Sequence, residues 1–399
     1  MTEARSRWPV LGLVTLAHAL GSLAVLAVAP LTPFLHESLR LSRVQVGLLL
    51  PAVYLGGVLM SLPAGWLSDR YGARLTLAVG ETLTGTMAVL AALTPGFGWL
   101  LAVLVAGGFG FSVLNPSTGK AVIEWFPPRQ RGLAMGIKQT GLTVGGVVSA
   151  LVLPPVAAVW GWRWAIAAAG AASLVSALTV ALVYRSPAGA PRVAPATRPR
   201  LAEVAPYLRR PGVLVVFVCG LALSAAQSSV LGYLTLYAKE TFLLGAVDAA
   251  RLLALAQVGG TASRLAWGAA SDRFFGGRRR PGVVVSALVA AVAYVAFALP
   301  DRLPGPLLIP LAIVGGAGAF GWVGLYFALV AEIGGPRNAG LLTGVATMFA
   351  WSGVLVGPPV FGIVLDATGS YAFPWVLLAG ITLAVAATLP WPRPLVDRG

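Results

Sequence analysis

Four ionisable side chains stand inside long apolar runs: Glu81, Lys120, Lys138 and Arg264. A charged group at the centre of a bilayer costs roughly 2.5–3.5 kcal/mol on insertion scales, so each marks a candidate site. Three are cations and one is an anion. The whole chain has 3 lysines against 25 arginines, and two of the lysines are in this set. A lysine ammonium is a mobile point charge whose proton affinity responds to burial, unlike the fixed guanidinium fork. Helical spacing supplies neighbours. Ser117, Lys120 and Glu124 share one face, as do Gln257, Thr261 and Arg264, and Lys138 lies in line with Gly141 and Gly145. Further polar stripes are Thr15/His18/Ser22, Ser229/Tyr233/Tyr237, Trp322/Tyr326 and Thr343/Thr347.

The elements that must hold these residues are membrane helices. Of 399 residues, 58% are hydrophobic and only 10% are charged. Soluble domains carry about 25% charged residues, and this chain could not cover a globular surface. The excess of Lys+Arg (28) over Asp+Glu (13) is therefore not read as a nucleic-acid footprint. A single cysteine, Cys219, excludes an internal disulfide framework and a cysteine zinc site, and two histidines far apart suggest no metal centre.

Stretches of about 20 apolar residues predict twelve spans: 9–35, 44–67, 74–94, 98–125, 131–155, 161–184, 212–237, 248–271, 282–299, 305–331, 339–364 and 372–391. A Pro/Ala/Arg segment, 185–211, divides them six and six, giving an N-terminal bundle over 1–184 and a C-terminal bundle over 212–399. Ala27-Val28-Ala29 fits a signal-peptide cleavage site. The first span has a partner in the second half, however, so the expectation is that it is retained.

The halves repeat. GWLSDR (65–70) matches GAASDR (268–273) and Gly56-Gly57 matches Gly259-Gly260, both at an offset of 203. EWFPPRQRG (124–132) pairs with EIGGPRNAG (332–340) at an offset of 208, bringing Glu124, Arg129 and Gly136 opposite Glu332, Arg337 and Gly344. This is the mark of a duplicated six-helix unit. Loop cations set orientation: the side with both termini holds 19 Lys/Arg and the other side 6, which places both termini in the cytoplasm.

With these features the chain resembles the major facilitator superfamily. The likeness rests on twelve spans, the central linker and the loop Gly-x-x-x-Asp-Arg-x-Gly-x-Arg between spans 2 and 3, here Gly65, Asp69, Arg70, Gly72 and Arg74. A degenerate copy between spans 8 and 9 keeps Gly268, Asp272 and Arg273. Read on its own, Asp69 opens a helix, facing its positive N-terminal end, while Arg70 and Arg74 reach acids such as Glu124. The resemblance implies that Gly65, Asp69, Arg70, Arg74, Asp272 and Arg273 form a cytoplasmic gate. It also implies that helices 1, 4, 7 and 10 line a central path.

The segment GKAVIEWFPPRQRGLAMGIKQTG is similar to helices 4–5 of organic-anion and cyanate/nitrate-type permeases, with Lys120 where the organic-anion branch has a basic residue, expected as Arg. The resemblance implies a secondary active transporter of a small anion, an organic carboxylate, by alternating access with proton symport. Its substrate site would draw on Lys120, Lys138, Arg264, His18, Gln227, Tyr233, Gln257, Tyr326 and Thr347, and its proton coupling on Glu124 and Glu81. The expected setting is a monomer in the inner-membrane bilayer, with no cofactor, no metal and no nucleic-acid partner. Drug/proton antiporters are the rival. Their helix-5 Gly-Pro is replaced here by Ser149-Ala150, although Gly357-Pro358 occurs on span 11. A non-transporting sensor on the same fold is a rival of another class. STGKA (117–121) lacks the earlier glycine and the Ser/Thr of a phosphate loop, and no catalytic constellation is present.

Overall fold

The structure, a computed structural model, describes residues 2–187, 207 and 209–389. Most of the predicted linker, residues 390–399 and the side chains of Arg129 and Arg337 lie outside them. Every regular element among the described residues is helical. In chain order these are α1 (Thr2–Leu26), α2 (Thr32–Leu39), α3 (Arg43–Ala92), α4 (Phe97–Ser112), α5 (Leu114–Trp125) and α6 (Pro128–Trp160). Then come α7 (Trp162–Val183), α8 (Pro211–Phe242), α9 (Ala246–Phe274), α10 (Arg279–Phe297), α11 (Leu308–Thr368) and α12 (Ala372–Thr388).

Among the described residues, 10 helical segments are long and apolar enough to cross a membrane, and Ala372–Thr388 is a shorter apolar one. The remaining predicted span corresponds to α9, 29 residues long, whose Asp248, Arg251, Arg264, Asp272 and Arg273 make it less apolar. The predicted first span ends early: α1 stops at Leu26, and Pro33 starts α2 after a turn. Spans 2 and 3 run together as α3, broken only at Gly72 (φ 83°), and spans 10 and 11 as α11, broken at Gly335 (φ 63°). A side chain strains such backbone, so glycine sets both corners.

The Gly72 corner changes the reading of Asp69. The helix of span 2 continues through Asp69 to Tyr71 before it breaks, so Asp69 lies in a C-terminal turn rather than at a helix start. A carboxylate is unfavourable beside the free carbonyls of a helix end, and this one requires a neighbouring cation.

The chain forms two compact units, one of residues 1–41 and 49–197, the other of 42–48 and 198–399. In the first, Leu11 and Val14 of α1 pack with Leu77 of α3, Leu114 and Val122 of α5 and Val180 of α7. In the second, Phe217, Val283, Trp322, Tyr326, Leu342 and Val385 join α8, α10, α11 and α12.

Close helix crossings occur at duplicated positions. A Cβ on Gly56 would overlap the Val105 carbonyl oxygen, and one on Gly259 that of Ile313. Likewise a Cβ on Gly145 would overlap the Ala19 carbonyl, and one on Gly353 that of Leu221. Membrane helices gain little from the hydrophobic effect between themselves, so backbone-to-backbone approach at small residues carries their association. Gly145→Val is therefore expected to push α1 away from α6 and cost roughly 1–3 kcal/mol of overpacking strain. Thermal unfolding in detergent measures this loss, and Gly136→Ala, which meets open space, serves as the tolerated control.

Candidate functional site

Lys138 sits in the interior of the first unit with 4% of its surface exposed. Its α6 face crosses α1 closely: a Cβ on Gly141 would stand 2.6 Å from the Thr15 carbonyl oxygen and 3.0 Å from His18 Cβ. The ammonium donates to Thr118 Oγ1 (3.2 Å), to the Asn115 main-chain oxygen (3.2 Å) and to Asn115 Oδ1. His18, 2% exposed, packs beside it from α1, and its Nδ1 lacks a hydrogen-bond partner. Among the described residues no carboxylate forms an ion pair with Lys138. A buried cation held only by neutral oxygens is solvated but not neutralised.

Lys120 has a different setting. Its ammonium donates to the main-chain oxygens of Ser68 (2.8 Å) and Asp69 (2.9 Å) and lies 3.8 Å from Asp69 Oδ1. The Gly72 corner leaves those carbonyls in a helix end without regular intrahelical donors, and a lysine there satisfies both dipole and carboxylate. Lys120 is also near Glu124, which accepts from Tyr184 Oη at 3.3 Å. Burial first, then the adjacent Glu124 carboxylate, pushes the Tyr184 hydroxyl above its ordinary range, so it stays a donor. Lys120, Asp69, Glu124 and Arg131 line a cleft of about 740 Å³ with Trp125 and Met135.

The arginines of this loop do not reach Glu124 as the sequence suggests. Arg74 Nε donates to the Ala181 carbonyl at 2.8 Å, and Arg70 lies over the rings of Trp66 (5.1 Å) and Tyr71 (5.5 Å). Gly65 meets open space, so close packing does not require it. In the second unit Arg279 bridges Asp272 (2.6 Å) and Glu332 (3.0 Å), while Arg273 is exposed. Asp69/Glu124 and Asp272/Glu332 are equivalent pairs in the repeat. A lysine from α5 serves the first pair and an arginine from α10 the second.

The second unit's other predicted site residues are spread over several helices. Arg264 Nε donates to the Phe320 carbonyl at 3.1 Å, and the Gln257 carbonyl accepts from Thr261 at 2.8 Å. Gln227 is half-buried, with its Oε1 lacking a partner, and the Tyr326 hydroxyl is buried without one. Thr347 donates to Thr343 on its own helix at 2.8 Å. Tyr233 stacks on Phe361 at 4.4 Å and donates to the Arg43 carbonyl at 2.5 Å.

The match to known proteins is extensive. Residues 14–358 fit the family model described as Major Facilitator Superfamily. The chain belongs to the Major Facilitator Superfamily. It is a multi-pass membrane transporter and not an enzyme. It is 25% identical to the hexuronate transporter of Bacillus subtilis, over 99% of this chain and 97% of that protein. It is 32% identical to the galacturonate transporter of Dickeya chrysanthemi over 186 residues, 45% of this chain and 52% of the other. Among solved structures, the inward-facing, occupied bacterial homologue of the human lysosomal transporter Spinster superposes with a TM-score of 0.79 at 19% identity, covering 96% of each chain.

Two features of this facilitator were not singled out from the sequence. Asn115 and Thr118 hold Lys138 from α5, yet neither is charged and the pairing crosses between helices. Arg43 pairs with Glu240 at 3.0 Å, and Tyr371 Oη donates to the same carboxylate at 2.8 Å. Burial and then Glu240 push the Tyr371 hydroxyl above its ordinary range. Arg43, Glu240 and Tyr371 belong to the second unit, which takes in residues 42–48. Because Lys120 is engaged with Asp69 and two carbonyls, Lys120→Gln is expected to lower maximal transport rate several-fold and leave the half-saturating concentration nearly unchanged. Initial-rate uptake over a substrate series separates the two parameters.

Proposed function

We propose that this facilitator carries a small organic monoanion of the sugar-acid class, such as galacturonate, across the bacterial inner membrane by alternating access coupled to protons. The observation that carries the reading is Lys138, a cation with 4% exposure that no carboxylate neutralises among the described residues. Removing such a charge from water is repaid when an anion binds beside it. The hexuronate and galacturonate relatives support the substrate class.

On this reading Lys138 supplies the counter-charge, with Asn115, Thr118 and His18 orienting it. Arg264, Gln227, Gln257, Tyr233, Tyr326 and Thr347 are the second unit's contributors. Gly65, Asp69, Arg70, Arg74, Asp272 and Arg273 belong to the cytoplasmic gate, together with Lys120 and Arg279. Both termini are cytoplasmic, since the loops on their side carry 19 of the 28 basic residues. The acids available for coupling are Glu124, already engaged by Tyr184, and Glu81.

The test is uptake of labelled galacturonate into proteoliposomes containing purified protein. Lys138→Gln is expected to weaken binding by about 10–100-fold, the equivalent of losing a charge-assisted hydrogen bond of ~1.5–3 kcal/mol. Unchanged binding in that variant, or movement of lipophilic cations with no sugar acid, sinks the reading.

A further inference from the structure

The first unit buries a second ionisable group. Glu81 on α3 is fully buried and forms no ion pair among the described residues. From α1 it is faced by Gly21, where a Cβ would stand 3.5 Å from Oε1, and from α5 by Leu114, whose Cδ2 covers the same glycine. From α7, Ser173 donates to the Glu81 main-chain oxygen at 3.0 Å, and Ser176 places a hydroxyl near the carboxyl. No charged or titratable side chain faces it from these elements among the described residues. His18, three residues from Gly21, turns toward α6. Lys120 and Glu124 of α5 are engaged with the Asp69 loop and Tyr184, Arg163 of α7 donates to the Thr94 carbonyl, and α4 has no ionisable residue.

Glu81 and Lys138 are thus two buried ionisable groups of opposite type in one unit that form no ion pair among the described residues. Successive residues of α5 serve them separately, apolar Leu114 beside Glu81 and the Asn115 amide on Lys138. Adjacent helix positions point about 100° apart, and α1 likewise offers Gly21 to one charge and His18 to the other.

Resting on the reading of Lys138 as the anion site, we infer that Glu81 carries the coupled proton, and that one monoanion and one proton cross together without net charge. With no ligand and with Glu81 deprotonated, the unit holds one buried cation and one buried anion, which sum to zero. With both ligands bound, each charge is neutralised and the sum is again zero. With the anion alone the interior is net negative, and with the proton alone net positive. A net charge in a low-dielectric interior is penalised, so singly loaded carriers reorient slowly. Coupling then follows from charge balance, with no contact between the two ligands. The proton adds to one Glu81 oxygen on the loading side and returns to water on the other, and only that O–H bond forms and breaks.

Proteoliposomes loaded with galacturonate provide the test. For the wild type, a pH gradient is expected to drive accumulation, while a potassium-valinomycin potential changes the initial rate by less than about twofold. Glu81→Gln leaves the empty carrier net positive and the anion-loaded carrier neutral. Galacturonate exchange should therefore persist within about threefold, while net uptake driven by the pH gradient falls at least tenfold. Wild-type accumulation that follows the membrane potential, or a sodium gradient at constant pH, overturns the inference without using any variant. So does undiminished pH-driven accumulation in Glu81→Gln. Failure of the anion site reads out differently, as Lys138→Gln that still binds and exchanges galacturonate normally.

Discussion

The first unit depends on how closely α1 approaches α6. Gly141 and Gly145 bring the two backbones together, and the crossing seals Lys138 at 4% exposure beside His18. Sealing gives the charge its value. Two unit charges 4 Å apart attract by about 1 kcal/mol in water and about 4 kcal/mol at an effective dielectric of 20. A looser crossing would admit water and weaken the interaction of the ammonium with any charge beside it. The packing of small residues and the electrostatics of the site are one constraint seen at two scales.

Duplication preserved the packing and not the charges. The close approach at Gly56 has its copy at Gly259, and that at Gly145 its copy at Gly353. The repeat positions of Glu81, Lys120 and Lys138 are held by Val284, Ala328 and Ala346. The carboxylate pairs at the loop ends survive in both halves, but Lys120 of α5 serves one and Arg279 of α10 the other. A scaffold contact between backbones tolerates almost no change once formed. A bridging cation can come from any helix whose side chain reaches the carboxylates, and here the two halves use different helices.

Most of the span pattern was legible from apolar length, with α9 the less apolar exception, and the break at Gly72 falls inside the loop expected between spans 2 and 3. The side of that corner was not legible. Asp-Arg-Tyr-Gly reads equally well as the start of one helix or the end of another, and only the backbone at Gly72 assigns Asp69 to the end. The buried cations were visible as residue types, but their states were not. Lys120 and Lys138 look alike in sequence, 18 residues apart in equally apolar contexts. One finds a carboxylate and two carbonyls at a helix break, and the other only neutral oxygens. What separates them is the partner brought by another helix, which no local pattern encodes. The same holds for Arg43, whose pairing with Glu240 joins positions 197 residues apart.

Exposure then divides the charges by strength. In the loop-end bridge of the second unit Arg279, Asp272 and Glu332 are 24%, 67% and 46% exposed, and Lys120 and Asp69 in the first are 15% and 32% exposed. Ion pairs open to water contribute about 0.2–1 kcal/mol each, so thermal motion breaks and remakes them readily. For the proposed alternating access, every 1.4 kcal/mol added to one state alone would slow its escape about tenfold. Under the proposed reading, weak pairs at the loop ends are compatible with movement there, whereas Lys138 and Glu81 lie where solvation is costly.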